Sequence, residues 1–289
     1  MPKHKAGIFF LCLALALVVS VGVRVQAQTI KTIDVAGASE TDANAINNKG
    51  LIVGDYIDNT GTNHGFAVIN NRIQSFDVPN SIGTYTRGVN DQNQVVGYYL
   101  DTNGVQHGYV YSSGKFTSID PPNTQLTNAW GINNSGVIVG TYVGANDGVY
   151  HGFVLKNGTY TSYDAPNGAL LTEILGVNKT GVMVGIYFDS NSVQHGFGLQ
   201  GSRFVDISYP GAAVTAADKV NDTLSVVGLE GASSGGPFSG YILQQGKKFV
   251  AINVPGASET RCRGLNNASD VVGRYTDQNG IIHGFLLTP

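Results

Sequence analysis

Five histidines in this chain each precede a glycine and an aromatic ring: His64, His107, His151, His195 and His283. A set of imidazoles could ligate a metal or act as general bases. Their spacing argues against both. The intervals are 43, 44 and 44 residues and then 88, twice the same period. The skipped position falls at Ser239-Gly240-Tyr241, a degenerate copy of the triplet. In a repeated β unit this histidine opens the third strand, about 10 Å outward of the innermost strand at ~4.8 Å per strand. Zinc needs imidazole nitrogens about 2.0–2.1 Å from one point, so five radially spread side chains cannot converge on an ion. The expectation is a structural staple. One ring nitrogen would bond a backbone group and the other a polar neighbour, pinning unit to unit.

Chemistry of another kind sits where the copies disagree. A threonine recurs at Thr41, Thr84, Thr127, Thr172, Thr215 and Thr260. Directly after it come Asp42, Tyr85, Asn128, Glu173, Ala216 and Arg261; two residues further stand Asn44, Arg87, Trp130, Leu175, Asp218 and Arg263. A purely structural demand would fix one residue type at each place. Arg87, Arg261 and Arg263 suit a carboxylate or phosphate, and Tyr85 and Trp130 suit stacking on a flat or sugar-like face. With Asp42, Glu173 and Asp218 they form the candidate ligand-binding set. The bland alternative is drift at solvated positions, or ion pairs among these residues. Oxygen donors at Asp42, Asn44, Asn128, Glu173 and Asp218 could instead hold calcium, the one cofactor the sequence suggests. Cys262 alternates to the opposite face from its two arginine neighbours and reads as a small core residue.

These side chains need elements to position them. An asparagine recurs at Asn47, Asn90, Asn133, Asn178, Asn221 and Asn266, and a glycine after valine at Gly54, Gly97, Gly140, Gly185, Gly228 and Gly273. Six registers of independent landmarks define a repeat of about 44 residues, a period typical of propellers, solenoids and arrays. Each copy reads as four short strands; in the second copy they are TYTRGVN, QVVGYYL, VQHGYVY and KFTSIDP, with Asn- or Gly-rich turns between them. The Asp-x-Pro elements (Asp77, Asp120, Asp164) end the outer strand, and the Asp-Thr-Asn-Gly type of loop reads as a hairpin turn, lacking the ligand density of a calcium hand.

Residues 29–48 match residues 248–267, so the first strand belongs to the unit begun by the last three. An open solenoid has no use for that phase. A ring does, because the first strand covers a free edge. The expected fold is an all-β, six-bladed β-propeller of four-stranded antiparallel blades, closed three-plus-one, over residues 28–289. Residues 1–27 carry a basic start, an apolar run and Val25-Gln26-Ala27, the pattern of a secretory signal. Export leaves Cys262 as the one cysteine, so no intrachain disulfide is expected.

The units resemble HAF repeats, named for a His-Ala-Phe triplet and found in bacterial extracellular proteins. The matching residues are G-I-N-x-x-G-x-I-V-G-x-Y at positions 131–142 and His151-Gly152-Phe153, with Gly where the triplet has Ala. The resemblance implies secretion and a repeat fold and assigns no catalytic residues. A net charge of −3 without a basic run argues against nucleic acid. No apolar segment after the leader is long enough to span a membrane. The function expected is a secreted, non-catalytic, monomeric binding propeller, extracellular or periplasmic, that recognises a glycan, small molecule, surface component or protein. The alternative is a calcium-dependent hydrolase, lactonase or lyase at the channel mouth.

Overall fold

The computed structural model describes residues 28–289; residues 1–27, read above as a secretory signal, lie outside the described residues. Every element in them is a β-strand, β1 to β24 in chain order. The runs are short and rich in Val, Ile, Thr and Tyr, residues that fit a pleated, half-buried surface. Between them the chain turns at left-handed residues, chiefly glycine and asparagine.

Strands β2 (Glu40–Ile46), β3 (Ile52–Ile57), β4 (Asn63–Ile69) and β5 (Arg72–Phe76) pair consecutively and antiparallel. The same four-strand ladder starts again at β6 (Gly83–Val89), β10 (Thr124–Ile132), β14 (Leu171–Val177) and β18 (Val214–Val220). The last ladder holds β22 (Glu259–Leu265), β23 (Val271–Thr276) and β24 (Ile282–Thr288). Its fourth member is β1 (Thr29–Ile33), antiparallel to β24 from Thr29↔Thr288 to Ile33↔Gly284. Single parallel pairings, Glu40↔Ile282 and Tyr150↔Leu171, fuse two pairs of ladders into eight-stranded sheets. The product is a closed ring of four-stranded antiparallel sheets, the arrangement of a β-propeller.

Apolar clusters fill the space between successive ladders, and the aromatic ring of each triplet lies at their centre: Phe66, Tyr109, Phe153, Phe197, Tyr241 and Phe285 are fully buried. Every inner strand carries a bulge at its middle, as at Ala43/Ala45. There the backbone passes so near the second strand that a Cβ on Gly54 would lie 1.9 Å from Asp42 O. That contact explains the fixed glycine of the second strand.

The recurring asparagines close a hydrogen-bonded cycle. Asn47 Nδ2 donates to Asn90 O, Asn90 to Asn133 O, Asn133 to Asn178 O, Asn178 to Asn221 O, Asn221 to Asn266 O, and Asn266 back to Asn47 O, at 2.9–3.4 Å. Each Oδ1 meanwhile accepts two backbone amides of its own turn, as from Ser135 N and Val137 N at Asn133. The recurring threonine is equally specific: its Oγ1 accepts the amide that follows the outer strand, as from Val78 N to Thr84. At Thr127 the equivalent residue is Pro121, which has no N–H, and Thr127 Oγ1 has no partner.

Replacing Asn133 by Ala removes three hydrogen bonds and strands a buried carbonyl. The expected loss is about 3 kcal/mol of unfolding free energy, read from the urea midpoint of the purified protein.

Candidate functional site

The histidines staple within a ladder, not between ladders, and their partners are carboxylates, not backbone groups. Nδ1 meets the Asp-x-Pro carboxylate: His64–Asp77 2.9 Å, His107–Asp120 2.9 Å, His151–Asp164 2.7 Å, His283–Asp34 3.0 Å. Nε2 faces the hairpin-turn aspartate, at 3.4 Å for His64–Asp58 and 3.1 Å for His151–Asp147. A tyrosine of the second strand stacks on the ring, as Tyr56 does on His64 at 5.2 Å. The turn aspartates also cap their own loops, as Asp58 does for Thr60 N and Thr62 N. The sequence-based expectation erred on direction because the third strand faces the outer strand of its own ladder, whose end the Asp-x-Pro carboxylate occupies. Where Ser208 replaces that aspartate, His195 keeps the Asp189 contact at 3.2 Å. The clasp His283–Asp34 joins β24 to the end of β1.

The inner strands turn their variable positions into the channel. Asp42, Asn44, Arg87, Trp130, Leu175, Asp218 and Arg263 line one cavity, as their register foretold, together with Lys219. Its volume is about 80 Å³, room for a few waters and well below the ~300 Å³ of an ordinary ligand pocket. Its charges are paired. Arg263 Nη1 reaches Asp218 at 3.1 Å, and Arg274 Nη1 lies 2.8 Å from Glu40 and 3.1 Å from Asp42. Arg87 bonds Asp55, which also accepts from Asn44 Nδ2 at 2.8 Å. Asn128 Oδ1 accepts from Gln106. Three of the five oxygen donors considered for calcium are thus engaged separately, Asp42 by Arg274, Asn128 by Gln106 and Asp218 by Arg263, while Asn44 turns its amide nitrogen to Asp55. Among the described residues no group of three His, Cys, Asp or Glu is placed to hold a metal.

Lys219 escaped the sequence reading. It occupies the bulge where the other copies have Ala45, Gly88, Gly131, Gly176 and Gly264. Simple alternation points this residue away from the axis; the bulge turns it in. Its Nζ donates to Trp130 O at 2.9 Å and Leu175 O at 2.6 Å, and the side chain borders both this cavity and the next one along the axis. Burial pushes Lys219 down to about 7, against the pull of Asp218. Glu173, half-buried, is raised to about 7 by burial and by Asp218. Asp55, Tyr98 and Arg274 were also missed. They follow the fixed glycine of the second strand, where the copies read Asp55, Tyr98, Thr141, Ile186, Leu229 and Arg274. The test of disagreement between copies, applied to that strand, finds them.

At the mouth on the threonine side lies an aromatic group. Tyr85 stacks on Tyr98 at 4.4 Å, and Tyr98 meets Trp130 edge-on at 6.2 Å. The Arg87 guanidinium lies 5.3 Å from the Tyr98 ring and 5.4 Å from that of Trp130. Across the mouth Arg261 pairs with Glu259 and covers the Phe238 ring at 4.6 Å. Cys262 is fully buried and its thiol pushed well up by burial, an inert core residue as expected.

No protein-family model and no curated protein matches the chain. Solved structures do. A lectin of Aleuria aurantia in complex with Fucalpha1-6GlcNAc is 13% identical over 86% of this chain and 91% of that one, with a TM-score of 0.54. The β-propeller domain of the Trilobed protease from Pyrococcus furiosus is 11% identical over 86% and 95%, with a TM-score of 0.53. A gluconolactonase from Xanthomonas campestris is 11% identical over 87% and 88%, with a TM-score of 0.50. At these identities the likeness is one of fold, and the fold is a β-propeller.

Two pH effects follow. Partial burial opposes protonation of His151, but Asp164 and Asp147 hold it above its ordinary 6.5. Its contribution is therefore full below the unfolded value and lost as pH rises through the folded one. His151→Ala should destabilise more at about pH 5.5 than at about pH 8.5, by roughly 0.5 kcal/mol after solvent screening, in denaturation at each pH. Glu173 has the opposite identity and the same sign: its raised value costs stability as pH climbs from 4.5 towards 7. Glu173→Gln should abolish a decline of about 1–2 kcal/mol across that interval, measured as the difference between the two stability profiles.

Proposed function

We propose that the chain is a secreted, monomeric, six-bladed propeller of HAF type that binds an extracellular glycan, without catalysis, at the threonine-side mouth of its channel. The sixfold count draws support from the six-membered asparagine cycle and the six ladders. Secretion draws support from the composition of residues 1–27.

The observation that carries the binding reading is the mouth itself. It combines stacked rings at Tyr85 and Tyr98, guanidiniums at Arg87 and Arg261, and carboxylates already held in place by arginine. Aromatic faces take the apolar face of a sugar ring while fixed charged groups order its hydroxyls. Pre-paired carboxylates and guanidiniums lose little freedom when they bind. The Aleuria aurantia lectin, a ring of the same fold, carries a fucosylated sugar.

A second reading, a hydrolase, lactonase or lyase, rests on Glu173 and Lys219, both brought to about 7 beside the channel, and on the gluconolactonase of similar fold. It stands second because the cavity is small and two of the acids proposed for calcium, Asp42 and Asp218, are held by Arg274 and Arg263.

A glycan array with the mature protein, followed by calorimetry on the best ligand, tests the first reading. Tyr85→Ala should lower affinity by about tenfold or more, while Asn70→Ser, at the opposite end of the ring, should leave it unchanged. A blank array, or lactone turnover abolished by Glu173→Gln, would favour the second.

A further inference from the structure

The residue after each buried triplet aromatic faces the following ladder. The six copies read Ala67, Val110, Val154, Gly198, Ile242 and Leu286. Two of them, Ala67 and Gly198, are too small to fill the space, and a cleft opens at each: about 610 Å³ beside Ala67 and about 430 Å³ beside Gly198. Both volumes suit a small ligand. The clefts lie three units apart, on opposite sides of the ring, and open on the asparagine-turn face, away from the proposed glycan mouth.

Three features set these clefts apart from packing defects. First, Gly198 is not demanded by its surroundings. Its φ is not left-handed, and an added Cβ would meet only Ile207 Cδ1 at 3.5 Å, an ordinary contact. Second, Leu224 stands on the rim of the Gly198 cleft at φ 63, where the other copies place Gly50, Asn93, Gly136, Gly181 and Ser269. A leucine is strained in that conformation, yet its side chain is 47% exposed beside Val205, itself 45% exposed. Third, Tyr111 replaces the aliphatic residue of every other copy (Val68, Leu155, Leu199, Leu243, Leu287) and lines the Ala67 cleft with Phe76 and Phe116. The Tyr111 and Phe116 centroids are 4.7 Å apart, and Phe76 lies 6.3 Å from Tyr111.

The rims carry positive charge in a chain whose net charge is −3. Lys49 borders the first cleft, whose lining holds no carboxylate. Arg203 and Lys247 border the second, and its one carboxylate, Asp206, accepts from Tyr187 Oη at 2.8 Å. We propose that each cleft binds a small amphipathic anion, a flat apolar body carrying a carboxylate or sulfonate, with the body against the apolar walls and the charged end at the basic rim. This site is independent of the glycan reading.

The test uses the fluorescent probe 8-anilinonaphthalene-1-sulfonate on the folded mature protein. Two saturable sites per chain are expected. Ala67→Val and Gly198→Val, each installing a side chain that other copies carry, should remove one site apiece, and the double variant both, with the melting temperature kept or raised. Leu224→Gly should raise the melting temperature and weaken the Gly198 site. The uncharged analogue N-phenyl-1-naphthylamine should bind severalfold more weakly than the sulfonate at both. Unchanged stoichiometry in the double variant overturns the clefts as binding sites; equal affinity for the two probes overturns the anionic end. Glycan binding at the far face should survive every one of these substitutions.

Discussion

The architecture depends on the asparagine cycle. Each amide uses both ends: Oδ1 shapes its own hairpin, and Nδ2 crosses to the carbonyl of the next copy. The local turn and the global ring are therefore held by one side chain. Losing either function costs a buried polar group its partner, the most expensive kind of hydrogen-bond loss. The cycle also locates the inner strands around the axis. With those fixed, the bulge in each strand decides which residues enter the channel.

Charge in the channel is tolerated because it comes paired. Buried ion pairs contribute little to stability on their own, since desolvation offsets attraction. Removing one member, however, leaves an uncompensated charge. The Arg87 network illustrates the point, tying Asp55 of the first ladder to Tyr98 and the ring of Trp130 in the second and third. Partial burial drives Lys219 and Glu173 towards neutrality near pH 7 instead. The Lys219 amine is held beside the axis by the main-chain carbonyls of Trp130 and Leu175.

Much of this was legible in the residues. Asparagine, glycine and threonine recur because each meets an invariant backbone demand, so period, strand count per unit and the pairing of β1 with the end of the chain could be read directly. The channel set was half legible. Asp42, Arg87, Trp130, Asp218 and Arg263 line the cavity as their register implied, whereas Tyr85 and Arg261 stand at its mouth. Lys219 was hidden because alternation fails at a bulge, and Asp55, Tyr98 and Arg274 because they lie on the neighbouring strand. The histidine partners were misjudged because the third strand lies beside the outer strand of its own ladder, whose end carries the Asp-x-Pro carboxylate. The clefts beside Ala67 and Gly198 leave a sequence trace in residue size, but volume between ladders appears only in three dimensions.

The latch of β1 on β24 brings together the two extremities of the described chain. In an unstructured chain, joining them would carry a loop entropy of roughly 5 kcal/mol, which the intervening sheets lower by holding the two ends near each other. The β1–β24 pairing is thus the least local contact of the ring. What holds the ring shut at that point is one antiparallel strand pairing and the His283–Asp34 clasp, so a change at either end of the described chain acts on the closure of the whole ring.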